Sequence, residues 1–142
     1  MSTRPFIIPI FLSHQGCPHR CIYCNQDLLS GTPLQKWTPA TITVHVEQFL
    51  AYSRRFPVEV AFYGGSFTLL EETRQRLLLA PLQPFLRQGR VHSLRLSTRP
   101  DAIEAGNLRL LLTLGVSTVE LGVQSLSDPV LAASARGYTK NH

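Results

Sequence analysis

This sequence predicts an α/β fold, a parallel sheet covered by helices. Short apolar runs rich in Phe, Ile, Leu and Val alternate four times with stretches of helical composition. Glycine, proline and capping residues punctuate the junctions. Parallel strands need crossover connections, which the helical stretches are placed to supply. An open doubly wound sheet and a piece of a barrel produce the same one-dimensional pattern, so periodicity leaves closure open.

Residues 6–12 form the first strand, a short run rich in Phe and Ile that gives way to Ser13-His14-Gln15-Gly16. Thr38 is a helix N-cap and Pro39 occupies the first helical position, where a fixed φ and a missing N–H cost little. That helix covers residues 40–55 and stops before Pro57. The second strand, 58–63, is halted by Gly64-Gly65. Residues 71–87 are helical in composition, with Glu71 and Glu72 in the first turn, but Pro81 and Pro84 must kink or divide them. Gly89 suits the C-terminal cap. Residues 93–97 are the third strand, and Asp101 is placed to cap the next helix. Its apolar positions Leu108, Leu111, Leu112 and Leu114 precede Gly115. Residues 118–123 are the fourth strand, and Ser127-Asp128-Pro129 opens a last helix that runs to about residue 135.

In both α/β architectures chemistry gathers at the C-terminal ends of strands. Here those ends carry the cysteines, Gly64-Gly65-Ser66, Ser97-Thr98-Arg99-Pro100 and Gln124-Ser125.

An apolar content of 44% over 142 residues is enough for one buried core, so residues 1–142 are expected to form one domain. The 14 basic and 9 acidic residues leave a formal charge of +5 spread without blocks, the pattern of a solvated surface rather than of a nucleic-acid groove. The run at 6–12 is broken by Pro9, is too short to cross a bilayer and lacks a small-residue cleavage site. A cytoplasmic protein with no membrane segment is expected. The chain ends after four strand and helix units, whereas a closed eight-unit barrel takes about 250 residues. It reads as the front part of a longer fold.

Three cysteines within eight residues cannot all pair with one another, and they favour a metal site or reactive thiol over a disulfide framework. Cys17, Cys21 and Cys24 put three soft thiolates on one short loop, close enough to wrap a cube of iron and sulfide. Three ligands for four irons would leave one iron open, as a catalytic metal centre requires. The competing reading is zinc, with His14 or His19 as the fourth ligand. Structural zinc sites typically join two ligand pairs from separate turns, and no second pair exists here. Pro18, His19, Arg20 and Asn25 are not the neighbours of three unliganded core cysteines.

The CxxxCxxC loop directly after a first strand, within Ser13-His14-Gln15-Gly16-Cys17-Pro18-His19-Arg20-Cys21-Ile22-Tyr23-Cys24-Asn25-Gln26, resembles the radical S-adenosylmethionine (SAM) superfamily. Within it, the sequence is similar to the branch of the Elongator catalytic subunit and, more distantly, of oxygen-independent coproporphyrinogen oxidase. The resemblance covers essentially the whole chain. It implies the N-terminal portion of a core domain folded as a partial (β/α) barrel. It further implies a 4Fe-4S cluster on Cys17, Cys21 and Cys24 whose open iron chelates SAM. A reducing donor of flavodoxin or ferredoxin type would drive cleavage of SAM to methionine and a 5′-deoxyadenosyl radical.

The same resemblance assigns the cofactor pocket residue by residue. Gly64-Gly65-Ser66 stands in the place of a Gly-Gly-Glu element whose backbone approaches the methionine amino group, with Ser66 replacing the glutamate. An ordinary glycine turn accounts for the same residues. Tyr23 matches an aromatic near adenine, or a packing ring. Gln124 and Arg136 resemble a pair that contacts the ribose and the carboxylate, Arg136 being otherwise a solvated helix-end cation. Ser97 replaces a glutamate on the third strand and keeps a hydroxyl. Glu120, a charge in a strand expected to be buried, calls for an arginine partner. His45, His92 and His142 belong to no motif.

The leading function is therefore SAM cleavage acting on an unidentified substrate, tRNA by similarity to the Elongator branch or a small molecule by similarity to the porphyrin branch. The alternative is a non-catalytic module, holding zinc or relaying electrons through an iron–sulfur cluster.

Overall fold

The computed structural model describes residues 4–24, 36–53 and 56–142. Asn25, Gln26 and the expected helix end at Arg55 lie outside the described residues. Strands β1 (Phe6–Phe11), β2 (Val58–Tyr63), β3 (Ser93–Thr98) and β4 (Val116–Leu121) form one sheet in chain order, every pairing parallel. Alternation along each strand places Ile8, Ile10, Val60, Phe62, Leu94 and Leu96 on one face, in register, each at most 1% exposed.

The crossovers cover that face. Helix α1 (Pro39–Tyr52) buries Ile42 and Val46, and Thr38 caps it as expected. Thr41 returns the bond to the Thr38 backbone, which completes a capping box. Trp37 Nε1 donates to Phe11 O at 2.7 Å and His45 Nε2 lies 2.9 Å from Pro9 O, which ties α1 to β1. His45 thus has the packing role open to a histidine outside any motif.

The second connection is divided at its prolines. Helix α2 (Glu72–Leu79) passes through a 3-10 turn (Ala80–Leu82) into α3 (Gln83–Arg87). The two prolines sit at the starts of the 3-10 turn and of α3, where a missing N–H breaks nothing. Leu78, Leu79, Leu82 and Phe85 from this segment join Leu111 of α4 (Ala105–Thr113) over the sheet. Helix α5 (Asp128–Ala133) follows β4 and buries Leu131.

Three expectations are corrected. The helix expected to run to Arg55 ends at Tyr52, where Ser53 turns extended. Strand β4 starts two residues earlier than expected, because the Gly115 carbonyl already accepts from Leu94 N at 3.0 Å. It also ends two residues earlier: Val123 N turns back to Leu121 O, and Gln124 takes a φ of 68°. Asp101 is not the cap of α4, a position held by Glu104. It lies in a 3-10 turn (Pro100–Ala102), and both its carboxylate oxygens are taken by Arg99. No helix among the described residues is long and apolar enough to cross a membrane.

Candidate functional site

The cysteine loop is stitched to the loop that follows β2. Leu12 N donates to Tyr63 O at 2.7 Å, His14 N to Gly64 O at 3.1 Å and Ser66 N to Gln15 O at 3.0 Å. Close approach explains two glycines here: a Cβ on Gly65 would lie 2.4 Å from Gln15 O and 2.7 Å from Leu12 O, and one on Gly16 would lie 2.4 Å from Ser66 O. The glycine turn and the cysteine loop therefore hold each other in place.

Cys21 is buried, whereas Cys17 and Cys24 are partly exposed. The Cys17 thiol points to His19 O at 3.3 Å, and Cys24 N closes a turn on Cys21 O at 2.9 Å. The chain returns to this loop after α5. Ile22 N donates to Ser134 O, and Arg136 Nη1 lies 3.6 Å from Cys21 Sγ. Burial pushes the Cys21 thiol up, but hydrogen bonds with Arg136 and Tyr23 and the charges of Arg136 and Arg99 bring it below its ordinary value of 9.0. Thiolate is the metal-binding form of cysteine. Burial and the same contact with Cys21 push the Tyr23 hydroxyl up to about 12.

A cavity of about 220 Å³ opens among these groups. Cys17, Cys21, Cys24 and Tyr23 line it from the cysteine loop. Gly64, Gly65 and Ser66 line it from the loop after β2, Ser97 from β3, and Gln124 and Arg136 from the segments after β4 and α5. All ten residues singled out from the sequence thus face one space. Arg136 is 8% exposed, which corrects the reading of it as a solvated cation. Its Nε donates to Tyr138 Oη at 3.1 Å and its Nη2 to Gly122 O. Ser97 Oγ donates to Phe62 O at 3.4 Å, so its proton serves the sheet.

Four more residues line the same cavity: Thr98 and Arg99, which the sequence placed only at a strand end, His19, offered only as a zinc ligand, and Gly122, which the sequence reading gave no role. Arg99 is 2% exposed and its Nη2 donates to Arg136 O at 2.6 Å. Burial works against its charge, but the Asp101 carboxylate holds the guanidinium pKa above the ordinary value. Asp101 carries the complementary shift: burial raises its carboxyl, and the hydrogen bond from Arg99 holds it below 3.8. Glu120 has the arginine partner that its place in a strand required, Arg95 Nη1 at 2.6 Å, although its side chain is 42% exposed.

Three thiols lining one cavity form a soft donor set, the kind that suits an iron–sulfur cluster. Among the described residues no three His, Cys, Asp or Glu side chains converge on a single point. In a cube each thiolate binds its own iron, so the three need not converge on one point. A larger hollow of about 430 Å³, bordered by Glu71, Glu72, Asp101 and Glu104, contains no thiol.

The sequence profile of the radical SAM superfamily matches residues 12–142. This chain belongs to the radical SAM superfamily. Its sheet and helices resemble archaeal Elp3 of Methanocaldococcus infernus, a form with residues 1–46 deleted, with a TM-score of 0.62 and 19% identity. The likeness covers 99% of this chain and 34% of that one, so the chain spans about a third of that structure's length. At this identity the likeness establishes the fold, a parallel α/β sheet of the partial radical SAM barrel type. No curated protein matches the chain.

Proposed function

We propose that residues 1–142 are the N-terminal portion of a radical SAM core domain in which Cys17, Cys21 and Cys24 bind a 4Fe-4S cluster beside a SAM pocket. The observation that carries this reading is the sharing of one cavity by the three thiols and the seven residues expected around SAM, in a chain of this superfamily. When bound, the cluster and SAM together supply reductive cleavage of the sulfonium to methionine and a 5′-deoxyadenosyl radical that attacks substrate.

The chain's own residues bind and orient. The lowered Cys21 pKa favours the thiolate needed for iron. Tyr23 offers a ring for adenine and Gln124 an amide for the ribose, while the backbone of Gly64-Gly65-Ser66 is available to the methionine amino group. Arg136 fixes the segment after α5 against the cysteine loop, helping to keep water from the cavity. A reductant of flavodoxin or ferredoxin type completes the reaction. For substrate, similarity to the Elongator branch favours tRNA over a small molecule.

The test is electron paramagnetic resonance on anaerobically reconstituted, reduced protein with and without SAM. A 4Fe-4S signal that changes shape on adding SAM is expected. A signal indifferent to SAM means an electron relay, and zinc in place of iron means a non-catalytic module.

A further inference from the structure

We infer that Arg136, held in place by Tyr138, donates to the Cys21 sulfur and raises the reduction potential of the cluster bound there, which rests on the cluster reading above. Arg136 Nε donates to Tyr138 Oη at 3.1 Å and Nη2 to Gly122 O. A guanidinium is planar, so two pinned nitrogens fix where the third points. That third nitrogen, Nη1, lies 3.6 Å from Cys21 Sγ, within reach of a hydrogen bond to sulfur. Tyr138 is itself anchored, its Oη donating to Val123 O at 2.6 Å. Its ring centre lies 5.2 Å from the central carbon of Arg136 and 5.2 Å from that of Arg99. Two buried guanidiniums that would repel one another thus share one aromatic ring.

Burial gives this contact its strength. Cys21 is 4% exposed and Arg136 8%, so little water screens the cation from the sulfur. One-electron reduction adds negative charge to the iron–sulfur core and its thiolates, the electron coming from the flavodoxin- or ferredoxin-type reductant. A cationic donor fixed at a ligand sulfur therefore stabilises the reduced form more than the oxidised one, as hydrogen bonds to cluster sulfurs do. Tyr138 acts through Arg136 and is a positioning residue.

The test is a redox titration of the anaerobically reconstituted chain without SAM, followed by electron paramagnetic resonance, on wild type, Arg136→Gln and Tyr138→Phe. Arg136→Gln removes the cation and should lower the midpoint potential by about 59 mV, a tenfold change in a one-electron equilibrium. Tyr138→Phe keeps the ring and the cation but loses the hydroxyl that pins Nε, and should move the potential the same way by less. Iron content per chain reports whether each variant holds its cluster. If Arg136→Gln does not, Tyr138→Phe decides.

An unchanged potential in cluster-loaded Arg136→Gln would overturn the role of the arginine, and an unchanged potential in Tyr138→Phe that of the tyrosine. A rise would overturn both. The reduced cluster carries the larger negative charge, so water admitted by a merely loosened segment would raise the potential, opposite to the fall expected here. Failure of wild type to take up iron would remove the cluster reading and this inference together. A cluster signal indifferent to SAM would remove only the SAM-binding reading, with the fall in potential still expected.

Discussion

Cys21 differs from its two partners in being buried beside a guanidinium that lowers its pKa, whereas Cys17 and Cys24 are partly exposed. If each thiolate binds its own iron, replacing any one opens a second iron to solvent or loses the cube. Cys17→Ala, Cys21→Ala and Cys24→Ala should each abolish reductive SAM cleavage and lower the iron bound per chain. Full cleavage by any of the three would remove that cysteine from the ligand set. Asp101 carries a prediction about pH. Its folded pKa lies below 3.8, so in acid the unfolded chain binds the more protons and the pairing with Arg99 is lost as pH falls. The stability advantage of wild type over Asp101→Asn should be constant above the ordinary value of 3.8 and shrink as pH drops through the lowered folded value. Urea unfolding of the two proteins between about pH 6 and about pH 2 measures it, and a gap that does not change with pH would assign the effect to packing. The cysteines stood out in the sequence as cavity candidates because three soft ligands of one kind, closely spaced among polar neighbours, favour a metal site or reactive thiol over a disulfide framework. The burial of Arg99 was not legible there, because it depends on a contact with a residue 37 positions away and on Tyr138 beyond it.

The loops that frame the cavity depend on backbone approaching backbone. Gly65 could be read as a simple strand stop, but its neighbours Gln15 O and Leu12 O come from the far side of a strand pair. Gly65→Ala would drive a Cβ into two carbonyl oxygens that hold the cysteine loop, so relief requires the two loops to part. The expected loss is about 2 kcal/mol or more in urea unfolding, with weaker iron binding because the displaced loop carries the thiols. Unchanged stability would show that the loops separate freely. The starts of α1 and α3 were legible from local chemistry, Thr38-Pro39 in one case and Pro84 in the other. The ends of β4 were not, because they depend on where the neighbouring β3 begins to donate hydrogen bonds to it and on a left-handed Gln124 that no residue preference signals. Asp101 was misread for a related reason: an aspartate before a helix is a common cap, and only the tertiary fold supplies the arginine that takes it instead.

Alternation assigns the opposite face of the sheet Glu59 from β2, Arg95 from β3 and Glu120 from β4. Arg95 joins all three strands, donating to Glu59 Oε2 at 2.8 Å through Nη2 and to Glu120 Oε1 at 2.6 Å through Nη1. Ser93 Oγ adds a bond to Glu59 at 3.2 Å. This ladder leads to the site, since Ser97 lies on the same face two residues beyond Arg95 and lines the cavity. Removing the arginine would leave a Glu59 side chain, only 11% exposed, without its cation, whereas Glu120 at 42% exposed can turn to water. Loss of one partner from a buried pair costs about 3–5 kcal/mol, and the partial exposure here lowers the expectation for Arg95→Met to roughly 2–3 kcal/mol. Glu120→Gln should cost less than about 1 kcal/mol, as expected for a pair open to solvent. Urea unfolding of both variants, and of Glu59→Gln with Arg95→Met together, separates charge from packing. Recovery in the double variant means that the stranded carboxylate is the main penalty. If the double variant is as unstable as Arg95→Met alone, the arginine acts instead as a packed strut across three strands, and its aliphatic stem rather than its charge holds the sheet in register beneath the cavity.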